Sequence, residues 1–372
     1  MPAVALPTHR RPRRAAPWAA SLLVLALAAG CSAGEDPEPS PTPTTSSPSP
    51  TPSPSPTPVI ADKQAPPEPE ITPRWPLTGE VAGEELSDRP ALSIKIENSE
   101  QARPQTGLQA ADVVWEEMVE GGITRFNAVY HSDLPAQVGP IRSVRPMDSA
   151  ISAPYGGLLV ASGGQAPFIN SIRNAGLQVL TDDLGHGGFT RSSARFAPHN
   201  LYGTPSLFLD QADGGHSDPP AEQLEFSRRA EGATAVTDGS PADGVQISFP
   251  RATPSWVWSA SDDAWRRSEG GDSATTEDAG RITAVNLVVL RVQVSTTAYV
   301  DPSGANVPET IMSGSGEAIV ASGGRSLEVT WSKDGPSDPL VLTTSDGETV
   351  ELAPGNTWIE LVPTSGSSVR IS

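Results

Sequence analysis

Asp112-Val113-Val114-Trp115-Glu116 and Ile123-Thr124-Arg125-Phe126-Asn127-Ala128-Val129-Tyr130 lie on either side of Glu120-Gly121-Gly122. Two runs rich in β-branched and aromatic residues around a Gly-Gly pair predict a β-hairpin. Upstream, Ala91-Leu92-Ser93-Ile94-Lys95-Ile96 alternates in polarity as a strand does. Downstream, Gly157-Leu158-Leu159-Val160-Ala161 reads as a buried strand that runs through Ser162-Gly163-Gly164 into a helix-like stretch over 168–175, closed by Gly176. Thr204-Pro205-Ser206-Leu207-Phe208-Leu209 has the form of a capped helix start. Strands and helices mix, so residues 75–215 are expected to form an α/β or α+β domain.

The polar stretch 210–244 contains Gly-Gly, Pro-Pro and many acids, and 216–244 reads as an interdomain connection with one short helix around 220–229. From 245 to 372 the rhythm changes to short β runs between turn signals, among them Val245-Gln246-Ile247-Ser248-Phe249, Leu327-Glu328-Val329-Thr330-Trp331 and Thr357-Trp358-Ile359-Glu360-Leu361-Val362. A mostly antiparallel β-domain follows, with no helix expected beyond about 280.

The N-terminal end has a different character. Arg10-Arg11-Pro12-Arg13-Arg14 precedes an apolar run, Leu22-Leu23-Val24-Leu25-Ala26-Leu27-Ala28-Ala29-Gly30, which ends at Cys31, the one cysteine of the 372 residues. A basic stretch, a short apolar stretch and small residues before a cysteine make the layout of a secretory signal over 1–30 with lipid attachment at Cys31. It resembles a bacterial lipobox, with Ala28 where a branched aliphatic residue is usual. A lone buried cysteine and a transmembrane anchor are the competing readings, and the choice between the general and twin-arginine export routes stays open. Residues 31–74 follow as a Pro/Ser/Thr-rich linker; 14 prolines fall within 34–73. Such a tract cannot bury a core, and at about 3 Å per residue it would reach up to ~100 Å from an anchor.

The formal charge is −19, and removal of a signal with four arginines and no acids takes it to −23. This balance opposes binding to a phosphate backbone, so nucleic acid is not expected as a partner. It equally opposes lying flat on anionic lipid, so the lipid reads as a tether. With its one cysteine spent on lipid, the chain can form no internal disulfide.

Several of these runs occur together in one family. Asn98, Arg103-Pro104-Gln105-Thr106-Gly107-Leu108, Ala111-Asp112, the stretch from Glu120 to Phe126, Gly139-Pro140-Ile141-Arg142-Ser143-Val144-Arg145-Pro146 and Ala197-Pro198-His199-Asn200-Leu201-Tyr202 resemble the YerB-like bacterial lipoproteins, a family of two paired domains of unknown function. The match continues at Trp256, Ala264-Trp265-Arg266-Arg267, Ala284-Val285-Asn286-Leu287-Val288-Val289 and Pro354-Gly355-Asn356-Thr357-Trp358-Ile359. It departs over 268–278, which lacks the His expected there. The resemblance implies a two-domain, lipid-anchored envelope protein on the outer face of the cytoplasmic membrane, and implies no reaction.

For chemistry, the first domain gathers Arg103, Arg125, Arg142, Arg145, Arg191 and Arg195 with Asp112, Glu116, Glu117, Glu120, His199 and Asn200. Guanidinium groups bind carboxylate or phosphate in paired hydrogen bonds, so convergent arginines would make an anion site. The alternative is pairing within the fold, for example Glu120 with Arg125 or Asp112 with Arg142. Prolines on both sides of Arg142 and Arg145 stiffen that loop, which favours a site. His199, after Pro198, is the candidate proton carrier, with Glu116, Glu117 or Glu120 as acid/base partner and Asn200 to orient the ring or bind a sugar hydroxyl. Ser162-Gly163-Gly164-Gln165 is a weaker anion candidate, at a helix start.

Trp256, Trp258, Trp265, Trp331 and Trp358 are either a sugar platform or β-domain core, and core is the simpler account. No Gly-x-Ser-x-Gly motif is present and the five histidines have no ligand spacing, so no serine nucleophile, metal or cofactor is predicted. Three functions stay open: a non-catalytic binding or assembly factor for an anionic or glycan envelope ligand, which leads; a cell-wall hydrolase or transferase; and a scaffold for a protein partner.

Overall fold

The computed structural model describes residues 72–83 and 86–372. The expected signal, Cys31 and all of the linker before residue 72 lie outside the described residues.

One sheet of twelve strands dominates, ten of them in a continuous path. Those ten are labelled here in chain order: β1 (Leu92–Glu97), β2 (Val113–Met118), β3 (Thr124–Tyr130), β4 (Leu158–Ala161), β5 (Gln178–Thr181), β6 (Asn286–Val300), β7 (Gly314–Ser322), β8 (Arg325–Lys333), β9 (Val341–Thr343) and β10 (Thr357–Pro363). Across the sheet they run β9-β8-β7-β6-β10-β2-β3-β1-β4-β5. Pairing is antiparallel through β9-β8-β7-β6 and β2-β3-β1. It is parallel for β6-β10-β2 and for β1-β4-β5.

β2 and β3 are joined through Glu120-Gly121-Gly122, where both glycines take left-handed φ, +72° and +76°. Only glycine adopts that conformation without steric cost, which is why the Gly-Gly pair marks the turn. β10 comes late in the chain yet lies between β2 and β6, with Val113 opposite Thr357 and Thr357 opposite Asn286. The sheet is therefore continuous from the α/β part to the β-rich part. A second, antiparallel sheet (368–371, 244–248, 254–259, 264–269, 272–273 in spatial order) covers one face. Between the two sheets lie Phe126, Trp256, Trp265 and Trp358, all fully buried. Trp256 and Phe126 each meet the Trp358 ring edge-on, at 5.0 and 5.2 Å. The tryptophans are core, with Trp258 half-buried against Trp265.

Among the described residues the α-helices are few and short: α1 (Asp148–Ser152), α2 (Ala166–Asn174), α3 (Pro205–Leu209) and α4 (Thr234–Asp238). The helix expected over 220–229 does not form. Instead Phe226 bridges Leu352, and the Leu352 N–H donates to Glu225 O while Ser227 N–H donates to Leu352 O, so the segment runs extended. Pro219-Pro220 and the lack of an apolar stripe explain why pairing with a passing strand wins there. Past residue 280 the described chain holds no helix, as expected.

Candidate functional site

Successive side chains of a strand point to opposite faces, and at β1–β3 this splits the polar residues into two groups. Register puts Arg125 opposite both Glu97 and Glu117, so with Lys95 and Asn127 these share one face. Glu116 and Phe126 point to the other, toward the second sheet.

On the first face Lys95 donates to Asp148 at 2.9 Å and also to Glu117, and Asn127 donates to Asp148 at 2.8 Å. Burial, and then the neighbouring Asp148, push the Glu117 carboxyl up to about 7. Nearer the strand ends, the segment from Gly139 to Val144 threads between β1 and β4. Glu97 N–H donates to Pro140 O, Arg142 N–H to Lys95 O, Ser162 N–H to Arg142 O and Val144 N–H to Gly163 O. These bonds carry Arg142 and Arg145 to the carboxyl ends of the parallel strands β1, β4 and β5, where open α/β sheets hold their ligands.

Three guanidiniums meet there. Arg145 grips both oxygens of Glu120, with Nη2 at 2.7 Å. Arg142 lies 3.6 Å from Glu97 and donates to Pro198 O at 3.3 Å. Arg125 makes a single side-chain hydrogen bond, to the Ser143 carbonyl at 2.9 Å. Burial first, then the charges of Arg145 and Arg142, push its pKa down to about 10. His199 completes the group: its Nδ1 is 2.8 Å from Glu97 Oε1, which also accepts from Ser99 Oγ at 2.8 Å. The ring is held by a carboxylate through one nitrogen, and Nε2 has no hydrogen-bond partner among the described residues.

The structure thus brings together Arg125, Arg142, Arg145, Glu120 and His199 from the expected residues. It sets the others apart. Arg191 bonds Asp182 at 2.7 Å and Asn200 at 3.1 Å on the exposed flank beyond β5, so Asn200 braces Arg191 and not the imidazole. Arg103 holds Asn98 through Nε at 3.1 Å and Nη2 at 2.8 Å. Arg195 ties down the backbone of Gln101 and Pro104 and meets Glu277. Two anticipated pairs are corrected: Glu120 takes Arg145 rather than Arg125, and Asp112 accepts from the backbone of His131 and Ser132 rather than from Arg142. At Ser162-Gly163-Gly164 the Asp183 carboxylate packs against Gly163, so a side chain of the protein already stands at that turn.

On the second face Glu116 is buried and bound to Arg267 at 2.7 Å; Arg267 also meets Glu269 at 2.9 Å and Glu360 at 3.2 Å. Its guanidinium lies over the Trp358, Trp256 and Phe126 rings at 4.8, 5.3 and 5.4 Å. Burial opposes its charge, and the three carboxylates outweigh that and raise its pKa. Burial and the adjacent Glu116 raise the Glu360 carboxyl well above the usual carboxylate range. Glu116 and Glu117 are therefore buried in opposite ionic networks, and neither faces His199.

Sequence reasoning passed over Glu97, Arg267, Glu269 and Glu360. The signal existed: Arg267 lies two residues from Trp265 on a strand, so a buried Trp265 carries Arg267 inward, and Glu97 shares its face with Lys95 in the same way.

Residues 77–218 match the family model described as "Protein of unknown function (DUF3048) N-terminal domain", and 245–359 match the corresponding C-terminal domain. A protein of Bacillus subtilis (strain 168) named "Putative lipoprotein YerB" is 26% identical over 313 residues, 81% of this chain and 89% of that protein. The crystal structure of YerB from Bacillus subtilis superposes with a TM-score of 0.67 at 23% identity, over 80% of this chain and 99% of that one. That likeness shows the fold. Among the described residues no helix is long and apolar enough to cross a membrane.

Proposed function

Because the chain belongs to the YerB-like family of paired domains of unknown function, we propose that it is an envelope protein, lipid-anchored through Cys31 on the outer face of the cytoplasmic membrane, that binds an anionic envelope ligand without transforming it. The supporting observation is the surplus of guanidinium at the ends of β1, β4 and β5. Among the described residues these arginines, Arg125, Arg142 and Arg145, form ion pairs with Glu97 and Glu120 alone, Arg142 with the first and Arg145 with the second, and Arg125 uses one donor. A phosphate or carboxylate would relieve the repulsion among these arginines and take up the free donors.

A second reading, hydrolysis of a wall polymer, draws on the Glu97–His199 hydrogen bond, which holds the ring and leaves Nε2 for proton transfer. The experiment is calorimetric titration of the full-length chain in detergent with pyrophosphate and with polyglycerol phosphate. Binding should weaken by about tenfold or more in Arg142→Ala, since a charge-assisted hydrogen bond contributes roughly 1.5–3 kcal/mol. Equal binding by wild type and Arg142→Ala would sink the anion site. Turnover of a bound polymer by wild type and its loss in His199→Ala would replace the binding reading by the hydrolytic one.

A further inference from the structure

A cavity of about 250 Å³ opens on the far side of the 98–105 segment from His199, between that segment and the strand 264–269 with the turn after it. It continues into a groove of about 570 Å³, with Asn98, Glu100, Arg103, Glu269 and Asp272 lining both. One wall comes from the part matched by the N-terminal family model and the other from the part matched by the C-terminal one. Pockets at such boundaries are where ligands are usually held. At roughly 30 Å³ per water, the inner cavity equals about eight waters, enough for one small ring, and the groove extends it.

The lining is built of planar polar groups over an apolar floor. Pro104 supplies the exposed apolar surface, with the buried Phe126 and Ile282 beneath it. Among the described residues the carboxylates of Glu100 and Asp272 accept no hydrogen bond, Arg103 Nη1 and Gln105 Oε1 have no partner, and the Gln105 amide nitrogen is taken by Glu97 O and Asn98. At the back, the nearly fully buried Arg267 and Glu269 hold each other in place. Over cavity and groove three acids, Glu100, Glu269 and Asp272, are balanced by three arginines, Arg103, Arg251 and Arg267, so the cleft has no surplus of positive charge to draw in an anion. Free carboxylates and an amide oxygen suit hydroxyl donors, a free guanidinium N–H suits a hydroxyl acceptor, and the apolar floor suits the C–H face of a sugar ring. We infer that this cleft binds an uncharged oligosaccharide, one ring in the cavity and its neighbour in the groove, at a site separate from the arginine cluster and independent of what binds there.

The test titrates the full-length chain in detergent with cellotetraose, chitotetraose and maltotetraose, and with trilysine as a cationic peptide. One of the oligosaccharides is expected to bind with one-to-one stoichiometry and to stay bound in excess pyrophosphate. Glu100→Gln and Asp272→Asn, both at exposed side chains that bond nothing, should each weaken it by about tenfold, with melting curves unchanged. Binding of none of the three sugars overturns the inference. So does binding that ignores both substitutions, displacement by pyrophosphate, or binding of trilysine alone.

Discussion

Arg267 brings a full charge into a region closed to water, and three carboxyl groups with three aromatic rings hold it there. Removing one partner of a buried ionic group leaves the others uncompensated, at a cost of about 3–5 kcal/mol. Arg267→Met should lower the free energy of unfolding in urea by that amount, and adding Glu116→Gln and Glu269→Gln should restore part of it. A variant as stable as wild type would show that the carboxyls take up protons without cost. Arg266, one residue earlier, is partly exposed and pairs with Asp262, so Arg266→Met should leave the urea midpoint nearly unchanged, since such surface pairs contribute little. The Arg267 network was not legible in the sequence, but the members of the arginine cluster were. Arg125, Arg142, Arg145 and His199 were all picked out from the sequence, and they do meet. Their partners were not legible, because strand phase gives the face a side chain points to and not which residue a distant segment brings opposite it. Glu97 shows this: its place at the end of an alternating run is plain, yet His199 reaches it across 102 positions.

At the scale of elements, the clearest chemistry lies where β3 ends. His131 is buried edge-on against Trp75, 5.3 Å between ring centres, and burial pushes its pKa down to about 4. The folded protein therefore takes up this proton less readily than the unfolded chain, whose histidine titrates near 6.5. The contribution is intact above that pH and is lost as pH falls from 6.5 toward 4. Asp112, beside it, has the opposite sign. Burial pushes it up to about 6, so the stability it gives is greatest below about 4 and is lost as pH rises to 6. The two partly cancel between pH 4 and 6. In His131→Phe that cancellation should disappear, and the urea midpoint should fall more steeply from pH 4 to 6 than in wild type; parallel profiles would refute the assignment. Elements with a strong local signal were legible: the Gly-Gly turn, the helix after Gly164, and the strands of the β-rich part. The segment 220–229 was misread because its structure comes from Leu352, more than a hundred residues away, and no local pattern encodes that pairing.

For the whole molecule the deciding element is β10. It pairs with β6 along seven residues and with β2 along four, and its Trp358 lies in the core between the two sheets. Trp358→Ala should cost about 3–5 kcal/mol and lower a single melting transition. Two separated transitions, with only the later part shifted, would show that the α/β part stands without β10. The mixed fold of the first part and the antiparallel pattern of the second were legible, since each rests on local periodicity. That one sheet runs through both was not, because parallel pairing over more than two hundred residues leaves no periodic mark. Placing the central strand so late also sets a timetable. A chain that emerges N-terminus first exposes the edge of β2, and later that of β6, for as long as residue 357 has not yet appeared. Until then the two edges have no strand between them, so closure of the sheet comes in one step, late, once residue 357 has appeared.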